Sequence, residues 1–163
     1  MSAQAGRDLE AVFERSPELL SRLAPRVRPD DSPEAIVEKA RVVIESLPEK
    51  QRIEILNAHP RIGAPVSTLS EPSRREQGAE AEAHVLRELM TLQAQYERAF
   101  GFRFVVFVAG RAKEQLLPEL RERMTRSREA ELRTGIDAFL AISLDRMRKA
   151  ADKDLRNATD DGW

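Results

Sequence analysis

"FRFVVFVA", residues 102–109, is the one strand-like run in the chain, and whether it can pair sets the fold class. A β-strand needs a neighbour to take its backbone N–H and C=O groups. No second stretch of this sequence supplies the alternation of apolar and polar residues that marks such a neighbour. A lone strand cannot pair with itself. The run therefore predicts a buried extended connector between helices, and the fold class is all-α: a compact single-domain bundle of seven to eight helices.

Helix punctuation on both sides supports this. Upstream, a long helix is expected from about Ser73 to Phe100, with Ala79, Leu86, Leu89, Met90, Tyr96 and Phe100 as its apolar side and Gly101 as its C′ stop. Downstream, Pro118 to Met124 reads as a short helix. Ser127 then caps a last long helix whose Leu132, Ile136, Phe139, Leu140 and Met147 share a face. Toward the N-terminus, Leu9, Val12 and Phe13 give a first short helix. Ser16-Pro17 reads as N-cap plus N1 of a second, carrying Leu19, Leu20 and Leu23. Ser32-Pro33-Glu34 repeats the signal ahead of Ile36, Ala40, Val43, Ile44 and Leu47, and Pro48 opens another helix through Ile53 and Leu56. Pro60, Gly63, Pro65 and Pro72 make residues 60–72 a loop. The domain is expected to cover residues 1–152, with 153–163 as a polar, frayed tail.

Composition narrows the function classes. The 163 residues are 41% hydrophobic, enough for a real core, and 27 Lys and Arg against 28 Asp and Glu leave a formal net charge of -1. That balance offers no basic footprint for nucleic acid or for a polybasic membrane contact. The absence of cysteine excludes a disulfide framework, a thiol nucleophile and a zinc site of Cys type. No apolar run approaches the roughly 20 residues of a membrane span, and no secretory h-region or C-terminal peroxisomal signal is present. The expectation is a soluble cytoplasmic protein.

The chemistry-bearing residues concentrate in "LNAHPRIGAPVSTLSEPSRREQ", residues 56–77. Proline pushes the residue before it out of the α region, so His59 must leave the helix defined by Ile53 and Leu56. A histidine there feels the negative end of the helix dipole, which favours its protonated form and suits proton transfer. It can equally be a helix-ending residue that binds the last free carbonyls. Ser73 and Glu76 are placed as a capping box. The same turn would hold Glu76 beside an imidazole, where the carboxylate supports its charge and orients its ring. Gln77 would point to an adjacent face, able to bind a ureido or amide group. His84, among Glu80, Glu82 and Ala83, reads as a solvated helix-face residue. Two separated histidines make a poor metal site, and Gly110-Arg111 lacks the glycine cluster of a phosphate loop. No cofactor is expected.

Taken together, "AHPRIG", "SRREQ", "FGFRFVVFVAGR" and "ELRTGIDAFLAISLDRM" resemble the 2-oxo-4-hydroxy-4-carboxy-5-ureidoimidazoline (OHCU) decarboxylases, which make (S)-allantoin in urate breakdown. The resemblance runs from "AVFERSP" to about Met147. It implies that His59 is the catalytic histidine, with Glu76 beside it, and that Ser73, Gln77 and Arg146 bind substrate. It also implies main-chain contacts from Pro60 and from the run around Val105 to Phe107. Arg61-Ile62 stands where many members have Asp-Leu, and Arg103 where they have proline. The family is all-α and usually dimeric, so the implied partners are an anionic ureidoimidazoline substrate and a second copy of the chain.

Two other readings compete. A non-catalytic helical interaction domain would use "SRRE" only as a cap, but leaves the order of the His-Pro corner, the Ser-x-x-Glu-Gln start and the late arginine unexplained. A related lyase or hydrolase acting on another ureide would share the scaffold.

Overall fold

The computed structural model describes residues 9–13, 15–63 and 79–160. They are all-α, and no strand occurs among them. A helical segment at 9–13 is followed by α1 (Pro17–Leu23), a 3-10 turn (Ala24–Arg26), α2 (Pro33–Ser46) and α3 (Glu49–Asn57). Then come α4 (Ala79–Phe100), α5 (Lys113–Arg123) and α6 (Arg128–Asp160). The chain divides into two compact units. One is drawn from residues up to Ala58 and from Ile136 onward, and the other runs from His59 to Gly135.

In the first unit the helix starts follow the Ser-Pro pairs. Ser32 Oγ accepts from the Ala35 N–H at 3.1 Å, satisfying one of the amides that a helix start leaves without a partner. Ser16 occupies the corresponding place before α1, but its hydroxyl makes no capping bond and the residue is buried. There the Pro17 ring alone presets the first turn. Short helices of this kind are held by packing rather than by propensity. Leu19, Leu23, Ala40, Ile44 and Leu56 are all fully or nearly fully buried, and α1 packs on α2. Each such leucine contributes about 1.5–3 kcal/mol. Phe13 meets Phe139 of α6 with ring centroids 6.0 Å apart.

In the second unit, residues 103–108 run without regular structure, and Phe102, Phe104, Val105 and Val106 are buried, as expected of the connector. Its core is aromatic. Tyr96 lies edge-on to Phe104 at 5.3 Å and beside Phe100 at 4.6 Å. Gly101 takes φ +83 and gives its N–H to Glu97 O at 2.8 Å, closing α4 as the sequence suggests. Ser127 Oγ accepts from the Ala130 N–H at 3.2 Å and caps α6.

Three expectations need correction. Met90, placed on the apolar side of α4, is 55% exposed, and the buried stripe instead runs Leu89, Gln93, Tyr96, Phe100. Helix α5 starts at Lys113, five residues before Pro118. The side chain of Gln115 accepts from the Ala112 N–H at 2.8 Å and starts the helix, and Leu116, Leu117 and Leu120 bury its inner face. The exposed Pro118 sits inside this helix at the cost of one backbone bond. Finally, α6 runs on to Asp160, past the point near Lys153 where polarity suggested fraying. Polar residues such as Lys and Arg are good helix formers, and no glycine or proline interrupts α6 beyond Gly135.

Candidate active site

His59 follows the end of α3, half-buried, two residues past Asn57 and directly before the exposed Pro60. Pro60 removes a donor and forces the backbone out of the helix, so "HPRIG" leaves as an irregular corner rather than as another turn.

The corner is held at three of its five residues, all within the second unit. Arg103 of the connector donates Nη1 to the His59 carbonyl at 2.8 Å. Arg61 meets Glu97 of α4 through Nε, at 3.1 Å to both carboxylate oxygens, and through Nη2 at 3.0 Å to Oε1. Hydrogen bonding to Glu97, and then its charge, raise the Arg61 guanidinium above its ordinary value. Gln93 reads the Ile62 backbone as a strand neighbour would. Its Oε1 accepts from the Ile62 N–H at 3.0 Å, and its Nε2 donates to the Ile62 carbonyl at 2.9 Å. Gly63 takes φ +82, a region open to glycine, and any Cβ there would run into Leu86 Cδ1. Arg61 and Arg103 converge on Glu97, with Arg103 Nε 3.7 Å from Oε1.

The connector is fixed by arginines as well. Arg123, 4% exposed, donates Nη1 to the Val105 carbonyl at 2.7 Å and Nε to Glu131 Oε1 at 2.7 Å. Its guanidinium lies 4.4 Å from the centroid of the Phe104 ring. Arg111 donates Nη2 to the Phe107 carbonyl at 2.7 Å. Val105 and Phe107 therefore present a backbone whose carbonyls are already engaged, and whose path is set by charge-assisted bonds.

Arg146 lies in the first unit. It is exposed, and it lines a cavity of about 500 Å³ with Met147, Ala150, Val27 and Arg28. Arg148 is also exposed and binds Glu34 Oε1 through Nε at 3.0 Å and Nη2 at 2.6 Å. Ser73, Glu76 and Gln77 lie outside the described residues. His84 is exposed on α4, as its polar neighbours suggest. Among the described residues no three His, Cys, Asp or Glu side chains group as metal ligands, and no helix is long and apolar enough to cross a membrane.

Sequence reasoning missed Gln93, Glu97 and the Arg123–Glu131 pair. Gln93 did leave a signal: a carboxamide at the helical spacing of Leu89, Tyr96 and Phe100 must find partners if that face is buried.

The sequence matches the model of the family described as OHCU decarboxylase over residues 2–148. The chain belongs to the OHCU decarboxylase family. Among curated relatives, the family resemblance extends to a 2-oxo-4-hydroxy-4-carboxy-5-ureidoimidazoline decarboxylase of Haloferax volcanii. That protein is 24% identical over 135 residues, which are 81% of this chain and 80% of the relative. Uric acid degradation bifunctional proteins of Bacillus sp. and Bacillus subtilis are 24% and 27% identical, over 86% and 83% of this chain. The chain spans 28% of the length of each of these two. A crystal structure of an (S)-allantoin synthase superimposes with TM-score 0.69 at 18% identity, covering 91% of this chain and 50% of that one. A crystal structure of OHCU decarboxylase in the presence of (S)-allantoin gives TM-score 0.65 at 24% identity, covering 83% and 91%. Both likenesses establish the fold.

Proposed function

We propose that this chain decarboxylates OHCU to (S)-allantoin in urate breakdown, without a cofactor, using His59 as the acid–base residue. The family match over residues 2–148 carries the reading, and the fastening of the His59 corner supports it.

OHCU bears its carboxylate on a ring carbon that also carries a hydroxyl and adjoins electron-withdrawing positions. When the C–C bond to the carboxylate breaks and CO2 leaves, its electron pair passes into the ring, which serves as the electron sink. The hydroxyl then gives up its proton and its carbon becomes a carbonyl, while the adjacent ureido-bearing ring carbon takes a proton on one face, which sets the S configuration. The protein's task is to position the anion, stabilise developing charge and deliver that proton. Arg146 supplies a planar fork of donors for the anionic substrate. His59 moves the proton, and Glu76 sets the tautomer and charge of the imidazole. Ser73 and Gln77 bind the polar ring and ureido groups, and main-chain groups of Pro60, Val105 and Phe107 complete the contacts. The protein works as a cytoplasmic homodimer in this reading.

The experiment adds freshly generated OHCU to the purified protein and follows its decay. Faster decay than in buffer, yielding (S)- rather than racemic allantoin, is the expected result. Unaccelerated decay to racemic product sinks the reading. A rate that survives exhaustive dialysis against a chelator fits the cofactor-free mechanism, and a loss restored by one specific metal overturns that part.

A further inference from the structure

The "HPRIG" corner carries no regular secondary structure, yet side chains of α4 and of the connector hydrogen-bond to it at His59, Arg61 and Ile62. Gln93 is 2% exposed, so its carboxamide has given up water, and this costs stability unless its polar atoms are matched. It meets Ile62 N–H and Ile62 O, and also Leu89 O at 3.3 Å. That fastening fixes the corner two residues beyond the end of the His-Pro pair. It does not by itself fix His59.

Arg103 does. Its guanidinium is part-buried, and it is anchored on one side by the Glu97 carboxylate, 3.7 Å from Nε, while Nη1 reaches the His59 carbonyl. Glu97 is in turn held by Arg61 from the corner itself, closing a ring of contacts from residue 61 through 97 and 103 to residue 59. A planar guanidinium can serve two acceptors in fixed directions at once, which an ammonium on a flexible stem cannot. The imidazole hangs from the one backbone unit whose carbonyl this ring grips. Proton transfer is steeply sensitive to such placement, since a displacement of about 1 Å can cost a hundredfold in rate.

We propose that Arg103, seated by Glu97, is a positioning residue for His59: it sets where the imidazole is presented, and thereby the rate of the proton-transfer step rather than the affinity for substrate. The inference rests on the reading of His59 as the acid–base residue.

The chain has only two histidines, so the imidazole resonances of His59 and of exposed His84 can be followed individually, with His59→Ala as the assignment control. In Arg103→Met, kcat for OHCU is expected to fall about tenfold or more while KM stays within about twofold. The His59 resonances shift and those of His84 stay. Arg103→Lys recovers only part of kcat, because one ammonium cannot hold both Glu97 and the His59 carbonyl. Adding Glu97→Gln to Arg103→Met costs little more, as expected of residues acting as one unit. A folded Arg103→Met variant with parental kcat and unshifted His59 resonances overturns the proposal. If Arg103→Met loses its helical signal, Arg103→Lys takes its place, and the same parental result there overturns it. An inactive His59→Ala beside a parental Arg103→Met removes only the positioning role, whereas an active His59→Ala removes the acid–base reading itself.

Discussion

The phenol of Tyr96 donates to Glu131 Oε1 at 2.7 Å, and both side chains are wholly shielded from solvent. Burial first, and the hydrogen bond to Glu131 second, push this phenol well above its ordinary value of 10.0. An acid whose folded value is raised contributes stability that is fully present below the unfolded value and is lost as pH rises toward the folded one. The window here therefore opens above pH 10.0. Tyr96 is the chain's single tyrosine, so tyrosinate absorbance reports on it alone. We predict that no tyrosinate develops in the folded protein as pH passes that value, and that the signal appears only together with loss of helical circular dichroism. Tyrosinate forming in a fully helical protein would contradict this.

The same carboxylate predicts a large stability effect. Arg123 and Glu131 are 4% and 0% exposed and meet at 2.7 Å, and Arg123 also binds the Val105 carbonyl. Removing one partner leaves the other charge buried without its counterion. Glu131→Ala should therefore cost about 3–5 kcal/mol in denaturant unfolding. Tyr96→Phe removes one hydrogen bond from the same cluster and should cost about 1 kcal/mol. A Glu131→Ala variant within error of the parent would show that the buried Arg123 does not depend on this carboxylate and that the pair adds little to stability.

These polar clusters mark where the sequence stopped being legible. Several signals local in the chain were read correctly: the Ser32 and Ser127 caps, the Gly101 stop, and a strandless connector buried from Phe104 to Val106, although its end at Val108 and Ala109 is exposed and Ala109 turns with φ +51. Each rests on a few adjacent residues and on backbone sterics. Gln93, Glu97 and Glu131 look like ordinary polar helix residues until their partners are known, and each has one far along the chain: Ile62, Arg61 and Tyr96, 31, 36 and 35 positions away. Met90 failed for the related reason that an apolar residue at roughly the right spacing does not have to face a core. At the candidate site, "HPRIG" marked the corner through Pro60 and Gly63. The side chains that fasten it were not deducible from spacing.

His59→Ala should abolish OHCU turnover and leave the helical fold intact. The residue sits in an irregular corner, half-buried, and the bond from Arg103 goes to its main-chain carbonyl, which alanine retains. Circular dichroism and turnover, measured side by side, decide the matter. Near-parental turnover in a folded variant sinks the assignment.

Glu76→Gln should impair turnover more than stability. If Ser73 and Glu76 form the capping box that their spacing suggests, a glutamine can keep its reciprocal bond, but it carries no charge to support a protonated His59. The check is a comparison of the denaturation midpoint with kcat. If the variant loses its fold while its remaining native fraction turns over normally, Glu76 is a cap and nothing more.

Arg146→Lys and Arg148→Lys form a matched pair of exposed arginines on α6, on either side of the buried Met147. Arg148 is committed to Glu34, and its two bonds to Oε1 hold that carboxyl below the usual carboxylate range. Both partners are more than half exposed, so a lysine that keeps the charge should preserve what little the pair contributes. Arg146 instead borders the cavity of about 500 Å³ lined also by Arg28 and Met147. If its fork of donors binds the substrate's carboxylate, lysine keeps the charge but loses the second directed bond. We predict a fall in catalytic efficiency of at least about tenfold, roughly 1.4 kcal/mol of transition-state stabilisation, for Arg146→Lys. Arg148→Lys should stay near parental in both activity and stability. Small, equal effects at the two positions would remove Arg146 from the site and leave the substrate's anionic group to another cation, for which Arg28 on the same cavity wall is the first to test.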